Sequence, residues 1–511
     1  MVSLRWNLAA GLAQSVWTAL IGLAVVPFYL TYLGLEPYGL IGFFMSMQAL
    51  FALLDMGLTP TMNREVARCR ALGDNRDARN LLHSLGIAFW VVVVAIGATT
   101  AFLAPLISSH WLGETSLPPG VVSRSVALMG IVIALRFPVG LYTGALMGGE
   151  RLVLVSGIGI FMVTLANVGA IVVLALVSPT IEAFFVWQAV VGLVWVATVQ
   201  IAAWRVLSGN EPARFDRTGL KRVWRFSAGI GGTALFGTIF IHSDKILLAK
   251  IVSLEELGQY TLAGLVARCL YLFLSPTFNA IYPRLTALYT NGDIAGMVSL
   301  YRDGTRLLMA IVFPVAAYVA VFSVELVTLW TGNAQLGESL FWVLCYLLLG
   351  TALNGAMHFP YALQLAAGKA HIPLIINSTL IFTYIPLLLL LSTDYGITGA
   401  AAAWAILNGF YVFYGTWLTH REILKGVGSS WLIRDVGLPF IVSAVLVLMG
   451  GTLMHSAIGS PYTALAIGAL LPLLAFGALV ATSHSFQALG EALLPRWIMK
   501  SKTESKGNAS S

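Results

Sequence analysis

Apolar runs long enough to cross a membrane follow one another along almost the whole of this chain of 511 residues. About 20 consecutive apolar residues allow a helix to span the hydrocarbon core of a bilayer. Hydrophobic residues make up 58% of the chain and charged residues 10%, which is too little polar surface to cover a soluble globule of this size. The sequence therefore predicts an all-α, polytopic membrane protein.

Hydropathy averaged over windows of about 19 residues predicts fourteen membrane-spanning helices. The first apolar run, from Asn7 to Leu33, is longer than the core of a signal peptide, so we expect it to remain as the first helix. The predicted spans cover residues 7–31, 38–57, 81–107, 121–146, 152–177, 181–204, 226–250, 259–283, 305–329, 339–366, 372–391, 397–419, 435–455 and 462–482.

The loops between these spans alternate between basic and nearly cation-free. One set of loops, together with the chain ends, holds 24 of the 29 Lys and Arg residues, whereas the opposite set is bordered by Lys250 alone. The positive-inside rule therefore predicts that both termini are cytoplasmic, which agrees with an even number of spans. Because the net charge of +7 follows this alternation, it indicates topology, and nucleic acid is not expected as a partner.

The chain resembles itself at an offset of about 219 residues. The segment GLEPYGLIGFF (34–44) aligns with SLEELGQYTLA (253–263), and YTGALMGGER (142–151) aligns with YALQLAAGKA (361–370). Each repeat holds six spans, so the two halves should be related by an axis along the membrane normal. We expect two six-helix lobes with pseudo-twofold symmetry and an added helical pair. The predicted divisions are an N-terminal lobe at 1–218, a C-terminal lobe at 219–433, the pair at 434–489 and a cytoplasmic tail at 490–511.

A few charged residues fall within the predicted spans. A charge near the bilayer centre is costly, so such residues usually face a cavity or a partner. At 1.5 Å per residue, Arg124 lies about 5 Å below the outer surface and can reach it, whereas Arg268 lies about 14 Å deep. Arg136 lies nearer the cytoplasmic third of its span. The charged residues within or at the edge of spans are Arg124, Arg136, Lys245, Arg268, Asp55, Asp244 and Glu325.

Asp244 and Lys245 are neighbours in the seventh span, and neighbouring helical residues point about 100° apart, so each needs a partner elsewhere. In one interpretation Asp244 neutralises Arg268 while Lys245 extends to the outer interface. In the other, the cluster contacts a ligand or carries a proton, with His242 as a candidate relay or a packed side chain.

Asp55 lies at the cytoplasmic end of the second span, where it opposes the dipole of its own helix. That placement predicts a cationic neighbour such as Arg64, and a lock between the loop and the helix.

Motifs for several other functions are missing from the sequence. It has no GxxxxGK[ST] phosphate loop, so this chain alone does not drive transport with ATP. Loops of about 23 residues are too short for a soluble catalytic domain, and no catalytic motif such as HExxH or GxSxG occurs. The three cysteines lie far apart, and neither a disulfide framework nor a metal-ligand spacing is present. We expect neither catalytic residues nor a cofactor.

Four stretches together resemble the oligosaccharide flippases and polysaccharide exporters of the multidrug/oligosaccharidyl-lipid/polysaccharide exporter superfamily. They occur in the same order as in that family and span most of residues 5–420. The stretches are LAAGLAQSVWTALIGLAVVPFYLTYLGLEPYGL, LLDMGLTPTMNREVA, LRFPVGLYTGALMGGERL and SDKILLAKIVSLEELGQYTLAGLVARCLYLFLSPTFNAIYPRL.

The resemblance implies a bacterial inner-membrane carrier that moves undecaprenyl-diphosphate-linked sugar units outward during O-antigen or lipopolysaccharide assembly. It implies alternating access driven by an ion gradient, of H+ or Na+, and cavity cations that meet the diphosphate. The expected partners are the lipid-linked oligosaccharide, membrane lipids and polysaccharide polymerase machinery, with the carrier a monomer. Candidate substrate contacts are Arg136, Arg268, Lys245 and Arg124; candidates for coupling or gating are Asp244, Asp55 and His242.

Three alternatives remain at this point. Fourteen spans also suit a flippase for the peptidoglycan lipid precursor. A cation-coupled multidrug exporter would favour acidic cavity residues, whereas here the cations in the spans outnumber the acids by four to three. A membrane-bound glycosyl or acyl transferase would need an acid or histidine beside a donor site.

Overall fold

The structure, a computed structural model, describes residues 4–72, 76–208, 212–221 and 242–481. Helices make up nearly all of this described part, which contains no β-strand. The helices are α1 Leu4–Ala24, α2 Val26–Leu33, α3 Leu35–Ala52, α4 Leu58–Ala71, α5 Arg76–His110, α6 Pro119–Arg136, α7 Val139–Gly148, α8 Leu152–Leu176, α9 Ile181–Val206, α10 242–251, α11 Leu254–Arg268, α12 Tyr271–Thr290, α13 Ile294–Val321, α14 Ser323–Thr331, α15 Ala334–Ala356, α16 His358–Ala366, α17 His371–Glu422, α18 Gly428–Ala457 and α19 Pro461–Ala481.

Eleven helical segments of the described part are long and apolar enough to cross a membrane, or twelve if α11 and α12, which meet at a bend of 44°, form one span. The all-α membrane fold is therefore confirmed, but the number of fourteen spans is not. The predicted seventh span, 226–250, lies largely outside the described residues. The predicted eleventh and twelfth spans fall together in the 52 residues of α17.

Helix α17 is two antiparallel arms joined by a tight turn. At Gly396 the backbone leaves the helical region, with φ 54° and ψ −137°. A Cβ added at Gly399 would lie 1.9 Å from the carbonyl oxygen of Leu391, so only glycine fits this reversal. The rings of Tyr384 and Trp404 lie 6.1 Å apart, as expected for arms that run side by side. The two predicted spans are thus present as a hairpin.

The described residues form two compact units. The first unit comprises the described residues up to Leu265 together with Ile385–Ala400, and the second comprises Val266–Tyr384 and the described residues from Ala401 onward. Each has its own buried apolar core: one cluster in the first unit packs α4, α5, α7 and α9 together, and one in the second packs α18 and α19 against Phe322. The predicted domain boundaries stay a prediction.

The 219-residue repeat reappears in the helix boundaries. Helices α3 and α11 begin at Leu35 and Leu254, and each of two further pairs, α7 with α16 and α8 with α17, begins at the same offset. Within the first unit the repeated segments also touch reciprocally. A Cβ on Gly39 would lie 2.1 Å from the Leu254 carbonyl oxygen, and a Cβ on Gly258 would lie 2.3 Å from that of Leu35. Such an exchange of equivalent contacts is the signature of a local twofold axis.

Loops that the charge pattern assigns to one side of the membrane lie together in the first unit. The Ser116 amide donates to the Glu36 carboxylate at 2.6 Å, and the Leu254 amide donates to the Glu114 carbonyl at 3.1 Å. The Gly113 amide also donates to the Ala249 carbonyl at 2.7 Å. The loops near 32–37, 108–120 and 251–258 therefore share one end of the unit, as the alternation predicts.

Candidate functional site

Arg136 ends helix α6 in the interior of the first unit, half-buried, and is held by side chains of two other helices. One guanidinium nitrogen donates to Gln48 Oε1 of α3 at 3.3 Å, and the other donates to Gln188 Oε1 of α9. The guanidinium carbon also lies 5.8 Å from the ring centre of Phe44. Three helices thus fix the position of one cation.

The groups around Arg136 are neutral. Gln188 is 5% exposed, and its amide nitrogen donates to the Ala166 carbonyl at 3.1 Å, which fixes its oxygen toward the arginine. In the described part of the chain no carboxylate lies within ion-pair distance of Arg136, and its buried Nε has no hydrogen-bond acceptor. A guanidinium presents a fork of donors that matches phosphate or carboxylate oxygens. The site is therefore suited to an anion.

Arg124, on the same helix as Arg136, has a different environment. It lies near the helix start, its side chain is 65% exposed, and its guanidinium pairs with Glu182 Oε1 at 3.0 Å. Glu182 belongs to the first turn of α9, where a carboxylate is also favoured by the helix dipole. Arg124 is thus engaged in a surface ion pair.

Asp244 and Lys245 lie in α10 and face different neighbours. Asp244 Oδ2 accepts a hydrogen bond of 3.0 Å from the hydroxyl of Tyr260 on α11. Lys245 is only 5% exposed, so its side chain does not extend to the surface as one interpretation expected. Its ammonium lies 4.0 Å from the position of a Cβ on Gly264. His242 opens the described part of α10 and is half-buried.

Arg268 is the last residue of α11, at the bend before α12, and is exposed. It belongs to the second unit and Asp244 to the first. Their pairing therefore stays a prediction.

Asp55 caps the helix that follows it. Its carboxylate accepts hydrogen bonds from the Thr59 amide at 3.1 and 3.2 Å and from the Thr59 hydroxyl at 2.8 Å. The chain reaches that geometry through left-handed backbone at Met56 and Gly57. The partner that the structure shows is thus the start of α4, whose dipole favours a negative charge. The predicted partner Arg64 stays a prediction.

Sequence reasoning missed a buried ion cluster in the second unit. Asp435 of α18 is fully buried and lies 2.7 Å from Arg302 Nε and 2.6 Å from an Arg306 terminal nitrogen, both on α13. Asp435 is the first residue of a predicted span and follows the basic loop at 420–434, and it was not singled out from the sequence. The amides of Gln48 and Gln188 were also missed, although a lone glutamine in an apolar span is itself a signal.

Comparisons with known proteins agree on one group. A family model described as "Polysaccharide biosynthesis protein" matches residues 32–337, more than half of the chain. A putative O-antigen transporter from Shigella flexneri is 24% identical over 409 residues, which are 77% of this chain and 94% of that protein.

Two solved structures share the fold at low identity. The lipid II flippase MurJ in an inward closed conformation has a TM-score of 0.70 at 12% identity, covering 94% of this chain and 98% of its own. An inward-facing multidrug resistance transporter of the MATE family has a TM-score of 0.62 at 16% identity, covering 81% and 95%.

Proposed function

Because the chain belongs to the polysaccharide biosynthesis protein family, the polysaccharide flippases of the multidrug/oligosaccharidyl-lipid/polysaccharide exporter superfamily, we propose that it translocates undecaprenyl-diphosphate-linked oligosaccharide units across the bacterial inner membrane. The similarity to a putative O-antigen transporter over 94% of that protein's length supports a role in the assembly of surface polysaccharide. In this proposal the chain is a carrier and not an enzyme.

The observation that carries the proposal is the cation at Arg136. It is held in a fixed position by Gln48 and Gln188, yet no carboxylate of the described residues neutralises it. Keeping an unbalanced cation in the interior of a membrane protein is costly, so its retention favours a negatively charged ligand. A diphosphate supplies that charge, and its oxygens suit the donors of a guanidinium.

In this proposal Asp244, with its hydrogen bond to Tyr260, takes part in coupling to a gradient of H+ or Na+, and His242 is a second candidate in the same helix. Lys245 and the exposed Arg268 are further candidates for contact with the diphosphate or with acidic sugars. Arg124 is the weakest candidate because Glu182 already pairs with it.

The peptidoglycan lipid precursor is the second candidate substrate, since an unbalanced cation suits its anionic headgroup equally well. A multidrug exporter for cationic compounds fits less well, because Arg136 would repel its substrates and no acid of the described residues offsets it.

The test is complementation in two strains, one lacking its O-unit flippase and one depleted of its peptidoglycan precursor flippase. We expect restored surface polysaccharide in the first strain, no growth rescue in the second, and loss of rescue with Arg136→Met at equal membrane expression. Rescue of the second strain alone would replace the proposed substrate. Rescue of the first by Arg136→Met as well would overturn the role of this cation.

A further inference from the structure

A second cluster of cations borders a cavity in the second unit, where α17 ends and α18 begins. The cavity has a volume of about 460 Å³. Two aromatic side chains of the lining, Phe413 and Trp417, are 64% and 54% exposed and therefore face lipid in a membrane. Arg421, Lys425 and Ser429 also line the cavity. An apolar wall beside basic residues is typical of a lipid headgroup site at a membrane border.

The two cations of this cavity are not neutralised within the described part of the chain. Arg421 lies over the ring of Trp417, 5.3 Å from its centre, and both Arg421 and Lys425 are exposed. The nearest acids in sequence are engaged elsewhere. Glu422 pairs with Lys369 at 3.3 Å, and Asp435 is shared by the two arginines of α13. The cavity therefore keeps a net positive charge.

A buried histidine adds a specific hydrogen-bonding group. His420 lines the cavity and is 4% exposed, packed against the rings of Tyr301 and Trp431, which also stack on each other. Its Nδ1 lies 2.7 Å from the Thr416 carbonyl oxygen, which can only accept, so Nδ1 carries the proton. In the neutral ring Nε2 is then an acceptor, and in the described residues this buried atom has no partner. A cavity lined by this histidine and two cations suits a ligand with both a hydroxyl and a phosphate.

We propose that this cavity binds the glycerol phosphate headgroup of phosphatidylglycerol. The phosphate lies between Arg421 and Lys425, a glycerol hydroxyl donates to His420 Nε2, and the acyl chains follow Phe413 and Trp417 into the bilayer. The cavity borders the basic loop at 420–434, so the lipid belongs to the leaflet on the side predicted to be cytoplasmic. This site is distinct from the Arg136 site, which belongs to the first unit.

Native mass spectrometry of the full-length protein in detergent tests the headgroup chemistry. We expect phosphatidylglycerol to bind about fivefold more tightly than phosphatidylethanol, which has the same charge and no hydroxyl, as one hydrogen bond would give. Zwitterionic phosphatidylethanolamine should bind more weakly than both. Displacement of the lipid by millimolar inorganic phosphate would instead identify a free-phosphate site, and equal binding of all three lipids would overturn the proposal.

Variants test whether phosphatidylglycerol binds at this cavity. Arg421→Gln with Lys425→Gln should weaken phosphatidylglycerol binding about thirtyfold, whereas Arg217→Gln with Arg284→Gln, which removes two exposed cations elsewhere, should leave it unchanged. His420→Phe keeps a ring in the aromatic stack and should abolish the preference over phosphatidylethanol while anion binding persists. If the two double variants weaken binding equally, the attraction is general surface charge and the proposal fails.

Discussion

Both units place polar side chains among their central helices, and the two clusters that the described residues form there differ in charge. In the first unit Arg136 lies between two amides, whereas in the second the hydroxyl of Tyr271 donates to Asn354 Oδ1 at 3.1 Å and the Asn354 amide donates to Asn408 Oδ1 at 2.8 Å. Asn354 follows Arg136 by 218 residues, one less than the repeat offset. Neighbouring positions of the two repeats thus carry a cationic cluster and a neutral one.

The second unit also contains partly buried cations, but there a carboxylate pairs with each of them. Arg302 and Arg306 are 26% and 18% exposed and share the fully buried Asp435. The pairing joins α13 to α18, the first helix of the added pair, so its role is to hold the fold together. A cation that pairs with a carboxylate therefore indicates a structural role, whereas a cation without such a partner indicates a binding site for an anionic ligand.

The largest effect on stability should come from Asp435→Asn. Removing one partner of a buried ion cluster leaves uncompensated charges, and because the arginines are partly exposed we expect a loss of about 3 kcal/mol in the free energy of unfolding, the lower end of the usual range. Thermal unfolding of the purified protein in detergent measures it. Glu338→Gln, an exposed acid on α15, is the matched control and should change nothing. A stable Asp435→Asn protein would refute the structural role of the cluster.

The next effect separates function from stability at Arg136. We expect Arg136→Met to lower transport about thirtyfold, equivalent to about 2 kcal/mol of lost charge-assisted hydrogen bonding. Its melting temperature should stay equal or rise, because the variant removes a cation that no described acid balances. Arg136→Lys keeps the charge without the fork of donors, so its transport should lie between that of the parent and that of Arg136→Met. A drop in melting temperature as large as that of Asp435→Asn would mean that Arg136, too, is structural.

Much of the fold follows from the sequence because apolar length and loop charge are local signals. The hairpin of α17 was predicted as two spans with a break at 392–396, and the turn at Gly396 confirms it. The repeat offset found in the sequence recurs in the starts of paired helices. The bend between α11 and α12 was not predicted, since Cys269 and Leu270 between them include no proline or glycine.

The site was predicted only in part because charge is visible in a sequence but pairing is not. The sequence distinguished Arg124 from Arg136 by depth but named both as substrate contacts, and the fold separates them further by giving Arg124 a carboxylate from the start of α9. Asp435 was overlooked because nothing near it in the sequence shows its partners. Its partners lie more than 120 residues earlier, on a helix that no local pattern connects to it.

A smaller effect is expected when the neutral cluster of the second unit is broken. Asn354→Leu introduces the residue type that the first repeat has at the equivalent position, Leu135. It removes the acceptor of the Tyr271 hydroxyl and the donor to Asn408 Oδ1, which should cost about 1 kcal/mol of stability, measured by thermal unfolding. Adding Tyr271→Phe should recover part of that loss, because it removes one of the stranded groups. If Asn354→Leu instead abolishes transport without destabilising the protein, the neutral cluster also contacts substrate.

The smallest effect should come from Arg124→Gln, which keeps a polar side chain but removes the ion pair with Glu182. Exposed pairs contribute less than about 1 kcal/mol and weaken further with salt. The melting temperature should therefore hardly change, and the change should be smaller still at high ionic strength. Transport in the complementation assay should also stay near that of the parent. Arg124 and Arg136 both belong to α6. Comparing the two variants therefore shows whether the position of the lost cation matters or only the loss of charge. If Arg124→Gln lowers transport as strongly as Arg136→Met does, the path of the anionic headgroup includes the start of α6, and the contrast between a balanced and an unbalanced cation no longer identifies the binding residue.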